Sequence, residues 1–484
     1  MRVTVVTTWL PTDRAPSSGS FVLRDSAAIR DAGQDVRIIH LVPPHQDDGA
    51  RHRTLEGMRV LSIPMKPSNP LSVARAADRL HPALKGADVL HSMAMSTLLP
   101  LTALDHARAL TLPWVHTEHW SGLTNPDTLS PALRAAIPVV GHGLARPDLV
   151  TAVCEYLAAP IRALRRGLPT KVVPCIVEPQ GAVSEPSGGE DTGSINMVTV
   201  GGLVERKDPM ACLDVLTELT ARGLPATMTF VGEGPLRADI EERLAADPAL
   251  GERTRLTGNL DAAGVRAELA RADVFIGPTR GDNFFVSAAE AITSGRPVVV
   301  SDAGGQTEYV TAANGTVLRS GAGSRQWADA VVDTVERLAP LGAAAIAATI
   351  GDSFSSAQVG AAYRRLQLSR GGHGQVGEQP APPAPGVIHE GTRPEAQELA
   401  PTHELGGRHR QGCVRDKGLE GHGRVQRRPR REGPLGQAQQ VQARQRGLES
   451  RARLLAALGG GEVGQVRLVG AVGAVGGVRL GPGG

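Results

Sequence analysis

The sequence predicts an α/β protein of two doubly wound halves, and three observations predict it. Strand-like apolar runs alternate with helical patterns from the first residues onward, as in parallel sheets covered by helices on both faces. The alternation is interrupted by a Gly/Ser/Glu/Pro-rich run over 180–194 and then restarts. A chain of 484 residues has ample length for two such domains. Two consecutive doubly wound units imply two Rossmann-like domains facing one cleft.

The first half opens with a strand over Val3 to Thr8, a polar loop from Pro11 to Ser20 and a helix over about Phe21 to Ala32. Gly33 sits where a helix C-cap belongs, and Val36 to Val42 is the next strand, completing a β-α-β unit. Further strands are expected at Met58 to Ile63, Val89 to Leu90, Trp114 to Thr117, Leu149 to Val153 and Lys171 to Val173. The second half reads as strand Met197 to Val200, helix Pro209 to Arg222, strand Ala226 to Val231 and helix Pro235 to Ala246. Strand Arg255 to Leu256, helix Ala262 to Ala270, strand Asp273 to Gly277 and a helix carrying Glu290 follow. Strand Val298 to Ser301 and a helix near Ser355 to Leu366 close the pattern. The expected organisation is a first domain over 1–178, a linker over 179–194, a second domain over 195–350 and a C-terminal helix over 351–370 that returns to the first domain.

The remaining stretch, 371–484, contains no Phe, Trp, Tyr, Met or Asn, and Lys417 and Ile388 are its only lysine and isoleucine. Such a Gly/Arg/Gln/Pro-rich segment cannot bury enough apolar surface to offset its ordering entropy, so it reads as disordered. The missing residue types have A/T-rich codons and the abundant ones G/C-rich codons, as expected of G+C-rich DNA read out of its natural frame. Its arginines at 424, 427, 428, 430 and 431 read as part of a solvated coil.

A net charge of +3 is small for this length and points to neither nucleic acid nor membrane as a partner. The four cysteines (Cys154, Cys175, Cys212, Cys413) form no Cys-x-x-Cys pair, which fits reduced thiols rather than a disulfide framework or a zinc site. The N-terminal apolar run stops at Pro11, too short for a signal peptide or a membrane span. These features predict a cytoplasmic protein with at most peripheral membrane contact.

The segment from Pro278 to Pro297 carries the strongest chemical signal. A buried strand runs into a turn, and the turn opens a helix, with carboxylates at Asp282 and Glu290. Unpaired amides and the helix dipole at such a junction favour phosphate, while a carboxylate on the helix can accept hydrogen bonds from sugar or ribose hydroxyls. In Val200 to Pro209 a strand ends in Gly201-Gly202, and a short loop then presents Arg206 and Lys207, cations able to neutralise a nearby phosphate. Gly232-Glu233-Gly234-Pro235 and Thr257-Gly258-Asn259 each follow a strand, and Gly304-Gly305-Gln306-Thr307-Glu308 forms another turn. A local role at a helix N-terminus is expected for Glu308. In the first half, His119 ends a strand at the edge where ligands of open α/β sheets bind. His116 points to the other face by strand alternation and reads as structural.

The Asp282-x7-Glu290 spacing resembles the acid-x7-acid signature of retaining GT-B glycosyltransferases, specifically glycosyltransferase family 4. Gly201 to Lys207 is similar to the family's Gly-Arg-x4-Lys loop, with Gly202 in the arginine's place and Arg206 adjacent to the matching lysine. Gly19-Ser20 matches the family's glycine-rich first loop, and His91-Ser92-Met93 is half of its His-x-His. The resemblance covers about the first 370 residues. It implies transfer of a sugar from a nucleotide diphosphate donor with retention of anomeric configuration. Lys207, Asp282 and His119 are then the catalytic residues. The donor is held by Gly19, Gly201, Gly202, Arg206, Lys207, Gly232, Gly258, Glu290 and the segment Asn283, Phe284, Phe285 and Val286, whose amides face the developing negative charge. Glu290 would hold the ribose and Asp282 the sugar hydroxyls, with the acceptor (a sugar, a lipid-linked molecule or a small molecule) on the first domain. The sequence has no Asp-x-Asp triplet, the usual carboxylate site for a donor-bound cation, so neither metal nor cofactor is expected beyond the donor itself. A nucleotide-sugar epimerase on the same fold and a non-catalytic nucleotide-sugar-binding protein are the alternatives.

Overall fold

The computed structural model describes residues 1–181, 183–186 and 194–370. The expectations for 371–484, and for half of the linker, lie outside the described residues. The first sheet has eight strands: β1 (Arg2–Thr7), β2 (Asp35–Val42), β3 (His52–Leu55), β4 (Met58–Pro64), β5 (Val89–Met93), β6 (Trp114–Glu118), β7 (Leu149–Ala152) and β8 (Thr170–Val172). Their order is β3-β4-β2-β1-β5-β6-β7-β8, parallel throughout except for the antiparallel pair β3-β4. The second sheet holds β9 (Ile195–Val200), β10 (Ala226–Val231), β11 (Thr254–Leu256), β12 (Val274–Gly277), β13 (Val298–Ser301) and β14 (Gly315–Leu318). These six strands run parallel in the order β11-β10-β9-β12-β13-β14. In both sheets the strand order reverses beside the first strand, between β1 and β5 and between β9 and β12. Crevices at the carboxyl ends of such reversals are where open α/β sheets bind ligands.

The central strands are continuous apolar runs because they are covered on both faces. Val3, Val5 and Val6 of β1 and Val298, Val299 and Val300 of β13 are all fully buried. Two edge strands are absent from the expectations above. β3 is polar and pairs with β4 through a Glu56-Gly57 turn in which both residues have positive φ (46° and 78°), the geometry of a two-residue hairpin. β14 is a short edge strand that starts on a glycine. Helices Pro70–Ala83, Glu155–Arg165 and Ser324–Leu338 are likewise absent from the expectations; Glu155–Arg165 continues through an internal proline, Pro160. The helix expected from Pro235 starts at Arg237.

Helix Ser356–Arg370 packs on helix Ser20–Asp31. Val359 and Tyr363 join a core cluster with Val3, Val5, Val22 and Ile29. The contact is close: a Cβ on Gly360 would lie 2.3 Å from the Ala28 carbonyl oxygen. Among the described residues, no helix is long and apolar enough to cross a membrane.

Candidate active site

The turn after β12 builds the second-domain half of the candidate site. Helix Val286–Thr293 begins after Phe285, which holds a left-handed conformation (φ 59°, ψ 60°) unusual for a bulky residue. Packing keeps it there. The Phe285 ring is buried edge-on against Phe275 at 5.6 Å, and the Lys207 ammonium sits 3.8 Å from its centroid. The Phe285 amide donates to Asp282 Oδ1 at 2.9 Å. This corrects the expectation of a free amide at 285, because the carboxylate of Asp282 occupies it. Phe284 and Phe285 both bury their rings, so only their backbone can meet a ligand.

Asp282 is the electrostatic hub. Lys207 Nζ lies 2.6 Å and Arg206 Nη1 3.0 Å from its Oδ2, and Arg206 also donates to the Gly281 carbonyl at 2.5 Å. Burial pushes the Asp282 carboxyl up, but Lys207 and then Arg206 overcome this and hold it down at about 2. Burial lowers the Lys207 ammonium, against the attraction of Asp282. The expectation left Asp282 free for sugar hydroxyls and the cations free for a diphosphate; here they occupy one another. Glu290, in the second turn of the helix, is a different case. Its carboxyl is raised by burial and only partly drawn back by Arg24 and Arg266.

The glycines beneath these residues are required by close approach. A Cβ on Gly232 (φ 144°) would lie 2.0 Å from the Gly201 carbonyl oxygen. The Gly232 amide donates to the Gly258 carbonyl at 2.9 Å, so the turns after β9, β10 and β11 meet through three expected residues. Gly202 lies in the same turn, near the Glu233 carbonyl. Gly19 (φ 65°) begins helix Ser20–Asp31, and a Cβ there would fall 2.3 Å from the Trp9 carbonyl carbon.

On the first domain, His119 follows β6 with its ring one tenth exposed. Burial lowers its imidazole to about 4, so the ring is neutral at physiological pH. The Phe21 ring packs on it at 4.7 Å, and Asp25 Oδ2 lies 3.7 Å from Nε2. Asp25, absent from the expected site, is 3 % exposed, and burial pushes its carboxyl up to about 7 against Arg24 and Tyr363. A signal for it existed: Asp25 stands four residues after Phe21 and four before Ile29, on the apolar face of the helix. His116 is fully buried and bonded to Ser92 (2.8 Å) and Glu118 (3.1 Å). His91 contacts Thr117 (2.7 Å) and Gln367 (3.0 Å), a structural set well away from solvent.

The two halves are joined at this site. Asn283 donates from Nδ2 to the His119 carbonyl and accepts at Oδ1 from Thr124, both at 2.8 Å, while its own carbonyl accepts from the Cys154 thiol. Asn283 thus spends its side chain between the domains, directly beside Asp282. Glu308 reverses the local role expected for it. Its carboxylate accepts from the Glu155 amide (3.0 Å) and the Tyr156 amide (2.9 Å), capping helix Glu155–Arg165 of the other half. Among the described residues, no group of three or more His, Cys, Asp or Glu is placed to hold a metal ion.

Two family models match the chain: the glycosyl transferase 4-like domain over residues 18–175 and glycosyl transferases group 1 over residues 194–337. The 2-deoxystreptamine glucosyltransferase of Streptomyces kanamyceticus is 29% identical over 221 residues, covering 42% of this chain and 56% of that protein. A GDP-mannose-dependent phosphatidylinositol dimannoside mannosyltransferase of Mycobacterium tuberculosis is 35% identical over 122 residues, covering 25% of this chain and 31% of its own length. The chain therefore spans about half or less of these two relatives. A GDP-mannose-dependent alpha-mannosyltransferase of Mycolicibacterium smegmatis is 29% identical over 332 residues, 64% of this chain and 82% of that protein. Among solved structures, the apo lipopolysaccharide outer core galactosyltransferase WaaB superposes with a TM-score of 0.62 at 15% identity, over 76% of this chain and 99% of that one. Anabaena HepE in complex with UDP superposes with a TM-score of 0.60 at 18% identity, over 76% and 100%. With both halves matched in order and the whole two-domain architecture shared, the chain belongs to the group 1, family 4 glycosyltransferases of GT-B fold.

Proposed function

We propose that this protein transfers a sugar from a nucleoside diphosphate donor to a hydroxyl-bearing acceptor, with retention of anomeric configuration and without a metal ion. One observation carries the reading. Lys207 and Arg206 converge on Asp282 at 2.6 and 3.0 Å, at the turn that opens the Glu290 helix and at the strand-order reversal of the second sheet. A diphosphate entering this turn takes both cations from Asp282. The freed carboxylate then turns to the sugar hydroxyls, and Glu290 accepts from the ribose. As the C1–O bond to the diphosphate breaks, its electron pair stays with the leaving phosphate, where Lys207, Arg206 and the remaining free amides of the turn stabilise it. Retention requires the acceptor to approach from the leaving group's side. The nearest base for its hydroxyl proton is then a diphosphate oxygen, and the new C1–O bond forms on the face just vacated.

We assign the donor to the second domain (195–350) and the acceptor, a sugar, a lipid-linked molecule or a small molecule, to the first (1–178). His119 contacts the transferred sugar from across the cleft. The donors named for the relatives, GDP-mannose among the mannosyltransferases and UDP-glucose in a HepE complex, define the first compounds to screen. The test is thermal stabilisation of wild type and Glu290→Ala by a panel of nucleotide sugars, in chelator-treated buffer. Stabilisation of the wild type alone supports the reading, and no stabilisation by any donor removes the site assignment. Conversion of the sugar without transfer to any acceptor would identify an isomerase instead.

A further inference from the structure

We propose that Asp25 is a positioning residue for His119: with Tyr363 beside it, its carboxyl fixes the tautomer and ring orientation of the histidine that faces the cleft. The proposal rests on the placement of His119 in the transferase site. Phe21 and Asp25 are four residues apart on helix Ser20–Asp31 and so share one helix face. Both meet His119. Phe21 covers the ring at 4.7 Å with a 52° tilt, itself packed against Trp9 at 5.5 Å, and Asp25 Oδ2 faces Nε2 at 3.7 Å. Nε2 is sealed from solvent and has no hydrogen bond. A buried ring nitrogen without a partner is disfavoured, and a side-chain movement of about 0.5–1 Å converts the Asp25 contact into a hydrogen bond. Active-site contacts in ligand-free proteins are commonly long in this way.

The backbone of His119 is clamped separately. Its amide donates to Glu118 Oε1 at 2.8 Å, and its carbonyl accepts from Asn283 at 2.8 Å. With the backbone fixed, the ring's only remaining freedom is rotation and choice of tautomer. A carboxylate at Nε2 selects the Nε2–H form and leaves Nδ1 as a hydrogen-bond acceptor for a substrate hydroxyl. The Tyr363 hydroxyl, on the C-terminal helix, reaches Asp25 and Thr117. That helix thereby becomes part of the site's support. The titratable and charged groups facing Asp25 are Arg24 on its own helix, His119 after β6, Tyr363 on helix Ser356–Arg370 and Cys175 after β8.

Long-range ¹H–¹⁵N spectra of the histidines in the full chain at pH 8, with His119 assigned by its loss in His119→Gln, test the proposal without a ligand. Wild type is expected to show a single Nε2–H tautomer whose shifts follow an ionisation near pH 7. Asp25→Ala should lose the tautomer preference, and Asp25→Asn should lose the pH dependence while keeping the fold. If Asp25→Ala does not fold, Asp25→Asn and Tyr363→Phe report through the same signals. An unchanged His119 tautomer and titration in folded Asp25 variants overturns the proposal. In parallel, consumption of UDP-glucose and GDP-mannose is followed. For a donor that the wild type consumes, Asp25→Asn should lower kcat by roughly tenfold or more with KM little changed, and an unaltered kcat counts against it. If the wild type consumes neither donor, the transferase reading is what fails, and the tautomer spectra still decide the role of Asp25.

Discussion

Replacing Asp282 by asparagine keeps the shape of the side chain, and its acceptor for the Phe285 amide, while removing its charge. In the free protein this carboxylate neutralises Lys207 at 2.6 Å and Arg206 at 3.0 Å, so a diphosphate must break both contacts before it can bind. The interaction has a size. The carboxyl is held at about 2 against an ordinary 3.8, a gap worth roughly 2.5 kcal/mol. The Arg206 side chain is 36% exposed, so solvent screens part of this, and about 1–2 kcal/mol remains to oppose the ligand. Asp282→Asn should therefore bind UDP or GDP about 5–30-fold more tightly than wild type. Sugar transfer should fall by about 10–100-fold, since a charged acceptor for the sugar hydroxyls is lost. Isothermal titration with UDP and GDP, beside steady-state transfer, measures both effects. A folded Asp282→Asn protein that bound the diphosphate equally well or more weakly would refute the competition between carboxylate and phosphate.

Three further outcomes are expected. Asp25→Asn should become more stable than wild type as pH rises. A carboxyl raised to about 7 in the folded state favours folding fully below about 4 and loses that contribution as pH rises through 7, so the difference should grow across this window to at most about 4 kcal/mol, read from urea midpoints at pH 4, 6 and 8. Glu308→Ala removes the cap on helix Glu155–Arg165 and should cost about 0.5–2 kcal/mol, with Glu308→Gln losing less; thermal melts of the three proteins check the order. Gly19→Ala should cost about 1–3 kcal/mol through its φ of 65° and the 2.3 Å approach to Trp9, and it should reduce donor turnover by displacing the helix that carries Phe21 and Asp25.

The fold was legible because its determinants are local. Buried parallel strands announce themselves as runs such as Val298-Val299-Val300, and glycines and prolines punctuate the junctions. Some of what escaped was weakly apolar, like the hairpin strand His52–Leu55, or interrupted by a proline, like Glu155–Arg165, whereas the amphipathic helix Ser324–Leu338 was readable in the pattern and was missed. The candidate segments of the second half were legible for the same reason: Gly201 to Lys207 and Asp282 to Glu290 are contiguous strand-turn-helix pieces. Their partners were not. Contacts such as Asn283 to His119, Glu308 to the Glu155 amide, or Lys207 to Asp282 join residues far apart in sequence. The packing of one half on the other sets the first two, and the adjacency of β9 and β12 in the second sheet sets the third. Asp25 illustrates the limit, since its buried position was readable in the pattern while the histidine it faces was not.

Helix Ser356–Arg370 also carries a consequence for biosynthesis. It fills the core of the first domain beside Val3, Val22 and Ile29 and brings Gln367 to the ring of His91. On the ribosome, the opening domain emerges with that face uncovered and must wait for the entire second domain to be made. At about 5–20 residues per second this delay lasts roughly 10–40 seconds. During that interval the exposed groove along helix Ser20–Asp31 is the natural place for a chaperone to engage the nascent chain, and folding of the first domain completes only after synthesis of the second.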